Sequence, residues 1–159
     1  MAQDTRNPML RHLDPLVGEW KTESTHPALP GTVVPGRATF EWLEGRHYLV
    51  WRESADHPDF PDSLTIFGCD APPDADPTSD WPGGCLLHSY DSRGIFRVTE
   101  WAAEEGKVRL WRLQPGFSMR CAYTLSAGSD TMTLTCELSQ DGATWEPDLQ
   151  ATYRRAARG

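Results

Sequence analysis

The sequence lacks any long apolar run and carries few positive charges. Lysine and arginine together number 15 against 23 aspartates and glutamates, which gives a net charge of -8 at pH 7. Such a surface repels phosphate backbones and anionic lipids, and a membrane-spanning helix needs about 20 consecutive apolar residues. We therefore expect neither nucleic acid nor a membrane as a partner. Residues 1–10 hold acid and proline where a signal peptide has its apolar region, so we predict a cytoplasmic protein.

Motifs of metal binding and nucleophilic catalysis are also missing. The four cysteines stand at positions 69, 85, 121 and 136 without a Cys-x-x-Cys pair, so we predict no metal centre. In a reducing compartment we expect them to be small, buried, reduced side chains. The Gly-x-Ser-x-Gly elbow of hydrolases is absent, and Ser89 must face away from its neighbour His88 on a strand. No catalytic residue is predicted.

The sequence does contain many short runs of Val, Thr, Tyr, Phe and Trp, separated by turns with Gly and Asp. This pattern predicts ten strands, at 17–25, 36–43, 46–55, 62–69, 84–90, 94–102, 107–114, 117–126, 131–139 and 144–154. A short helix or turn is predicted within 8–16, and a long acidic, proline-rich surface loop at 70–84. The length of 159 residues fits a single domain, 1–159.

One predicted hairpin allows its register to be derived. If Ser126 pairs with Thr131 around the loop "AGSD", then Cys121 lies opposite Cys136 and Tyr123 opposite Leu134. The same register pairs Leu125 with Met132 and Met119 with Leu138, so one face is apolar throughout. Burial of that face should fix the register. The two cysteines could form a disulfide under oxidation, but we expect reduced thiols.

Ten consecutive antiparallel strands joined by short turns favour closure into a barrel. Closure removes the exposed edge strands that invite aggregation, and the meander order favours an up-and-down barrel over a Greek-key sandwich. A barrel of about this strand number leaves room for one small ligand. The predicted fold is therefore an all-β, ten-stranded antiparallel up-and-down barrel at about 17–155.

Several motifs resemble one superfamily of such barrels. Gly18 and Trp20 form a Gly-x-Trp step at the start of the first strand, and "FEWLEGRHYLVWR", "HSYDSRGIFRV" and "SQDGATWEPDLQATYRR" follow. The chain resembles the calycins over about residues 13–155: lipocalins, fatty-acid-binding proteins and nitrobindin-like barrels. It looks like a bacterial calycin-like family described only as a domain of unknown function. The resemblance implies that Trp20 plugs the closed end and that Arg154 packs over it.

The nitrobindin-like branch implies haem held by a histidine on a late strand. This sequence departs from that pattern, since His88 is its last histidine. Haem or nitric-oxide chemistry would need a different ligand, and Tyr123 or Tyr153 would be an unusual one. We expect no cofactor.

Seven residues are predicted to contact a ligand in the interior. His88 and Tyr90 share one face of their strand, and the pattern leaves open whether it points inward or against the long loop. Arginines within strands would need partners if they pointed inward, and the outer wall offers Glu41, Glu53, Glu100 or Glu137 instead. We expect at least one of Arg52, Arg97, Arg112 and Arg120 inside. The predicted ligand-binding set is His88, Tyr90, Arg97, Arg120, Tyr123, Tyr48 and Trp111.

Both faces of the predicted strand 46–55 are apolar, with Tyr48 and Val50 on one and Leu49 and Trp51 on the other. A barrel wall covered on its outside favours a homodimer, or the long loop folded over it. Binding of a small apolar or amphipathic molecule is the leading functional hypothesis. The alternatives are an isomerase or cyclase using the cavity and one acid or base, a haem protein, and a dimeric interaction module.

Overall fold

The computed structural model describes residues 6–69 and 85–156. Two short helical segments come first, α1 (Pro8–Arg11) and a 3-10 turn (Asp14–Leu16). Ten strands follow: β1 (Gly18–Thr25), β2 (Val34–Trp42), β3 (Leu49–Ala55), β4 (Ser63–Cys69), β5 (Cys85–Asp91), β6 (Phe96–Glu104), β7 (Lys107–Arg112), β8 (Ser118–Leu125), β9 (Thr131–Ser139) and β10 (Glu146–Arg155). The predicted loop 70–84 lies outside the described residues.

The strands form a closed antiparallel barrel in which each pairs with its neighbours in sequence and β1 pairs with β10. This confirms the predicted up-and-down architecture and the predicted short helix. The β8–β9 register is the one derived from the sequence, with Cys121 opposite Cys136 and Leu125 opposite Met132. No helix among residues 6–69 and 85–156 is long and apolar enough to cross a membrane.

Strand ends differ from the prediction where the backbone turns. The predicted strand 46–55 begins only at Leu49, because Arg46 has a positive φ of 59° and closes a turn onto Leu43. Likewise β6 begins at Phe96 instead of 94, since Gly94 has a φ of 81°. Left-handed residues of this kind belong to turns, and hydrophobic alternation alone does not locate them.

One end of the barrel is closed by the N-terminal segment. Leu10, Leu13 and Leu16 are almost fully buried against the core. Trp20, only 1% exposed, lies beneath them, and its indole N–H donates a 2.8 Å hydrogen bond to the carbonyl of Leu16. The predicted plug is therefore present. The hydrogen bond from Trp20 joins the first strand to the 3-10 turn that covers the barrel.

The arginine over this plug is Arg155, and the prediction of Arg154 is wrong. Arg155 pairs directly with Trp20 across β10 and β1, and its guanidinium lies 4.2 Å from the indole centroid. It also donates hydrogen bonds to the carbonyls of Pro15, Val17 and Ser129, at 2.7 to 3.2 Å. Arg154 points the other way and is exposed. Neighbouring residues on a strand face opposite sides, so a one-residue shift exchanges their roles.

Replacing Arg155 with alanine should lower the free energy of unfolding by about 3 kcal/mol, because several charge-assisted hydrogen bonds and a cation–π contact are lost together. Urea denaturation measures this. The matched control is Arg154→Ala: its nearest anion is Glu23, 4.0 Å away, and both side chains are 62% exposed. That change should cost less than about 0.5 kcal/mol. Equal losses in the two variants would contradict the assignment.

The cysteines form two disulfides, Cys69–Cys85 and Cys121–Cys136, and no described cysteine is free. The expectation of reduced thiols is therefore wrong. Each pair sits directly opposite on adjacent antiparallel strands, with Cα atoms 4.1 Å apart. Such a pairing places the two side chains on the same face and in contact. Reduced thiols were expected because the compartment was taken to be reducing, whereas the strand register brings the sulfur atoms of each pair together.

Candidate functional site

A carboxylate lies on the inner face of the barrel wall. Glu53 of β3 follows Trp51 on the inward row and pairs with Ala38 of β2, which is 1% exposed. The hydroxyl of Tyr153, from β10, donates to both of its oxygens, at 2.9 Å and 3.1 Å. Tyr153 is fully buried, while Glu53 retains partial contact with solvent. Two strands that are not neighbours in the sheet thus supply a polar pair inside the barrel.

Burial sets the electrostatics of this pair. Loss of hydration raises the pKa of Glu53 to about 7, and the hydrogen bond from Tyr153 and the nearby Trp51 indole offset only part of that effect. Burial and the Glu53 charge both raise the pKa of Tyr153 and that of Tyr123 well above the ordinary value. At neutral pH the tyrosines are therefore neutral donors, and Glu53 exchanges a proton readily.

Aromatic rings surround the carboxylate on the side of the closed end. Trp51 stacks on Phe40 with centroids 5.3 Å apart and meets the edge of Tyr123 at 5.5 Å. Tyr123 in turn lies 5.9 Å from Tyr153. The buried Trp51 indole N–H lies near Glu53 but forms no hydrogen bond of good geometry within residues 6–69 and 85–156. An apolar wall with one carboxylate, one bonded hydroxyl and one unpartnered donor is the composition of a small-molecule site.

The opposite end of the barrel from Trp20 is more polar and more exposed. Its inward positions include Ser63, Ser89 and Arg97, all partly accessible, whereas Trp20, Leu49 and Phe67 at the closed end are almost fully buried. We call this end the open end. Glu53 lies between the two, and it also borders a depression of about 550 Å³. The other lining residues of that depression are Arg37, Ala38, Thr39, Arg52, Ser54, Asp62, Ser63, Leu64 and Ser92.

Two of the predicted ligand residues lie on inward rows. Tyr123, 6% exposed, is part of the aromatic wall. Arg97 alternates with the buried Thr99 and Trp101 on β6, and its guanidinium lies 5.7 Å from the centroid of Phe117. The expectation of at least one inward arginine therefore agrees with the structure. Arg97 stands near the open end, apart from Tyr123.

His88 and Tyr90 face outward. Their neighbour Leu87 is 3% exposed in the core, and His88 pairs with Ile66 and Val98 on the outer rows of the adjacent strands. Tyr90 is 45% exposed and stacks on Phe96 at 5.5 Å. This settles the face that the sequence left open. The pair is separated from the interior by the barrel wall.

The remaining predicted ligand residues also lie outside. Arg120 bonds to Glu137 at 3.0 Å and stacks over Trp145 at 4.0 Å, which matches the expected outer-wall pairing. Arg120 and Trp111 line an outer depression of about 510 Å³. Tyr48 precedes β3, is 52% exposed and packs against Gly68. The structure therefore does not bring the seven residues together.

Haem, which the nitrobindin-like resemblance implies, does not fit the histidines of this chain. Four of the five, His12, His26, His47 and His57, lie outside the strands, and His88 is on the outer wall. None occupies an inward strand position from which an imidazole could reach the interior. Among residues 6–69 and 85–156, no group of three His, Cys, Asp or Glu side chains could hold a metal ion.

Sequence reasoning missed Glu53 as an interior residue and assigned it to the outer wall. The available signal was parity: Leu49, Trp51 and Glu53 share one face of β3, and the partners of that face, Phe40 and Ala38, are apolar. Because both faces of β3 looked apolar, the alternation did not identify the inner one. Tyr153 was considered only as an unusual iron ligand.

Comparisons with known proteins bear on the fold. No family model matches the chain, and no curated protein matches it. The structure is similar to Rv2717c from M. tuberculosis, with a TM-score of 0.62 and 15% identity over 94% of this chain and 98% of that chain. It is also similar to the S-type phycobiliprotein lyase CPES from Guillardia theta, with a TM-score of 0.53 and 12% identity over 94% and 93% of the two chains. At these identities the likeness shows a shared barrel fold.

Proposed function

We propose that the chain binds a small amphipathic molecule in the barrel interior, with Glu53 and Tyr153 holding its polar group. The observation that carries this is a partly solvent-accessible carboxylate on the inner wall, bonded to a buried hydroxyl from across the barrel. A carboxylate that has lost much of its hydration is costly, and an inner wall built for stability alone would use an apolar side chain there. Burial of the ligand's apolar part against Trp51 and Tyr123 would supply affinity.

Binding is tested with N-phenyl-1-naphthylamine, an uncharged fluorescent probe for apolar cavities. We expect saturable 1:1 binding to the wild-type protein. Ala55→Trp, on the inward row two residues beyond Glu53, should weaken binding by about tenfold or more, because the new ring occupies the open end. The matched control Glu41→Trp, at an exposed position of β2 outside that depression, should bind like the wild type. Absence of 1:1 binding, or equal losses in both variants, would refute an interior site.

Glu53 also favours a second candidate, catalysis by proton transfer. A carboxyl group with a pKa of about 7 beside a neutral tyrosine can donate or accept a proton at neutral pH. The fold neighbour CPES is named a lyase. An isomerase or cyclase of this kind would lose turnover in Glu53→Gln while retaining the ligand, which a single-turnover assay on the bound molecule would detect.

The cytoplasmic location and the homodimer stay predictions. The two disulfides count against a cytosolic location, because thiols of cytosolic proteins are kept reduced. Counting free thiols in the protein from its native cells tests this. For the dimer, the outer face of β5 and β6 presents Leu86, Tyr90, Phe96 and Val98, each at least 36% exposed. Sedimentation at micromolar concentration tests that association.

A further inference from the structure

No cation of the described residues pairs with the interior carboxylate. Among residues 6–69 and 85–156, Glu53 forms no ion pair, and the groups that stabilise its charge, the hydroxyl of Tyr153 and the nearby indole of Trp51, are both neutral. Arg37 and Arg52 line the same depression but stand on exposed outward rows. A buried charge is ordinarily paired, because leaving water costs several kcal/mol unless an opposite charge compensates. The part of the chain that the structure describes supplies no such charge here.

A second buried group beside Glu53 is also unsatisfied. Trp51 is 9% exposed, and its indole N–H lies near Glu53 but forms no hydrogen bond of good geometry in the described chain. Buried side-chain donors are nearly always bonded, so an unpartnered one calls for an explanation. Trp51 lies two residues from Glu53 on the same inward row. One molecule at this position could meet both groups, offering a positive donor to the carboxylate and its apolar part to the indole ring.

The charge of Glu53 favours a cation over an anion. The indole of Trp51 stacks on two phenylalanine rings, with centroids 5.3 Å and 6.1 Å apart, so it offers a ligand apolar contact and no open ring face. An ammonium group beside the carboxylate would form a charge-assisted hydrogen bond. A ligand carboxylate would instead meet like charge on Glu53. Arg97 and Arg112, on inward rows of β6 and β7, are the described cations nearest the open end, and neither bonds to Glu53.

We infer that the interior site selects an amphipathic amine, whose ammonium group pairs with Glu53 while its apolar part lies against Trp51 and Tyr123. This rests on the proposed function, since it names the chemical class of the interior ligand. No bond is made or broken. The amine supplies the missing counter-charge and leaves the hydrogen bond from Tyr153 in place.

Three ligands of equal chain length test the selection: octylamine, 1-octanol and octanoate, each below its aggregation limit, titrated at pH 8 with tryptophan fluorescence and calorimetry as readouts. We expect octylamine to bind at least about tenfold more tightly than 1-octanol, because a charge-assisted contact is added, and octanoate to bind most weakly. Glu53→Gln should abolish the preference for octylamine and leave 1-octanol unchanged. Glu41→Gln, at an exposed position on β2, should retain it.

The pH dependence of octylamine affinity is a second readout, because it would stay flat if Glu53 had only a structural role. Octylamine affinity should fall between pH 8 and pH 5 as Glu53 takes up a proton, while 1-octanol affinity should stay constant. The groups facing Glu53, Tyr153 and Tyr123, remain neutral over this range. If 1-octanol or octanoate binds as tightly as octylamine, or Glu53→Gln retains the preference, the amine inference is wrong and interior binding stands. If none of the three binds, the proposed function fails as well.

Discussion

Glu53→Gln is expected to make the protein more stable at pH 8, by about 2 kcal/mol, although it removes a native ionisable group. In the folded protein the pKa of Glu53 is about 7, compared with an ordinary value of 4.5. The folded state therefore holds this proton more tightly than the unfolded chain. Its contribution to stability is complete below pH 4.5 and is lost as the pH rises through 7.

A shift of this size corresponds to roughly 3 kcal/mol of stability lost between pH 4.5 and pH 8, since one pKa unit is about 1.4 kcal/mol. Glutamine cannot ionise, and its amide oxygen can still accept from Tyr153, so the variant should lack this fall. Urea denaturation of both proteins at several pH values isolates the contribution of Glu53 as their difference. Glu41→Gln serves as the control, because that carboxylate is exposed on β2. Parallel stability profiles for wild type and Glu53→Gln would show that the carboxylate is hydrated.

Trp20→Ala is expected to cause the largest loss of stability, about 4 kcal/mol. The side chain is 1% exposed and fills the closed end of the barrel. Its removal leaves a cavity, frees the carbonyl of Leu16 and takes the ring from beneath Arg155. Trp20→Phe keeps most of the apolar contact but loses the hydrogen bond, so it should cost about half as much.

Both variants are measured by urea denaturation at pH 6. The matched control is Trp145→Ala, on the outer wall, where the indole is partly exposed and contacts Arg120 at 4.0 Å. That substitution should cost about 1 kcal/mol, since only a surface cation–π contact and little burial are lost. If Trp20→Ala lost no more stability than Trp145→Ala, the N-terminal segment would not depend on the Trp20 plug.

The fold was accessible from the sequence because its signals are repeated and redundant. Ten strand patterns with turns between them leave few arrangements that hide every edge. The β8–β9 register followed from apolar matching alone, with Cys121 and Cys136 as a central pair. The plug residue Trp20 followed from one local motif and its resemblance. For the strands and the register, several residues carried the same information.

The site was less accessible because it depends on which face of a strand points inward. On β3 both faces are apolar, so Glu53 could be placed inside or outside with equal support. On β5 the sequence left open whether His88 points inward, and in the structure it lies on the outward face. On β10 a shift of one residue exchanged Arg154 for Arg155. Each of these choices is decided by long-range pairing, which a single sequence does not display.

The Cys69–Cys85 link ties the end of β4 to the start of β5 at the edge of the intervening fifteen-residue stretch, 70–84. A protease that cuts the chain anywhere within that stretch would produce two fragments that stay covalently joined. They would run as one species without reductant and separate as two once a thiol is added. The barrel's covalent continuity thus survives a nick there, and foreign peptides could be spliced into that position without parting the two strands.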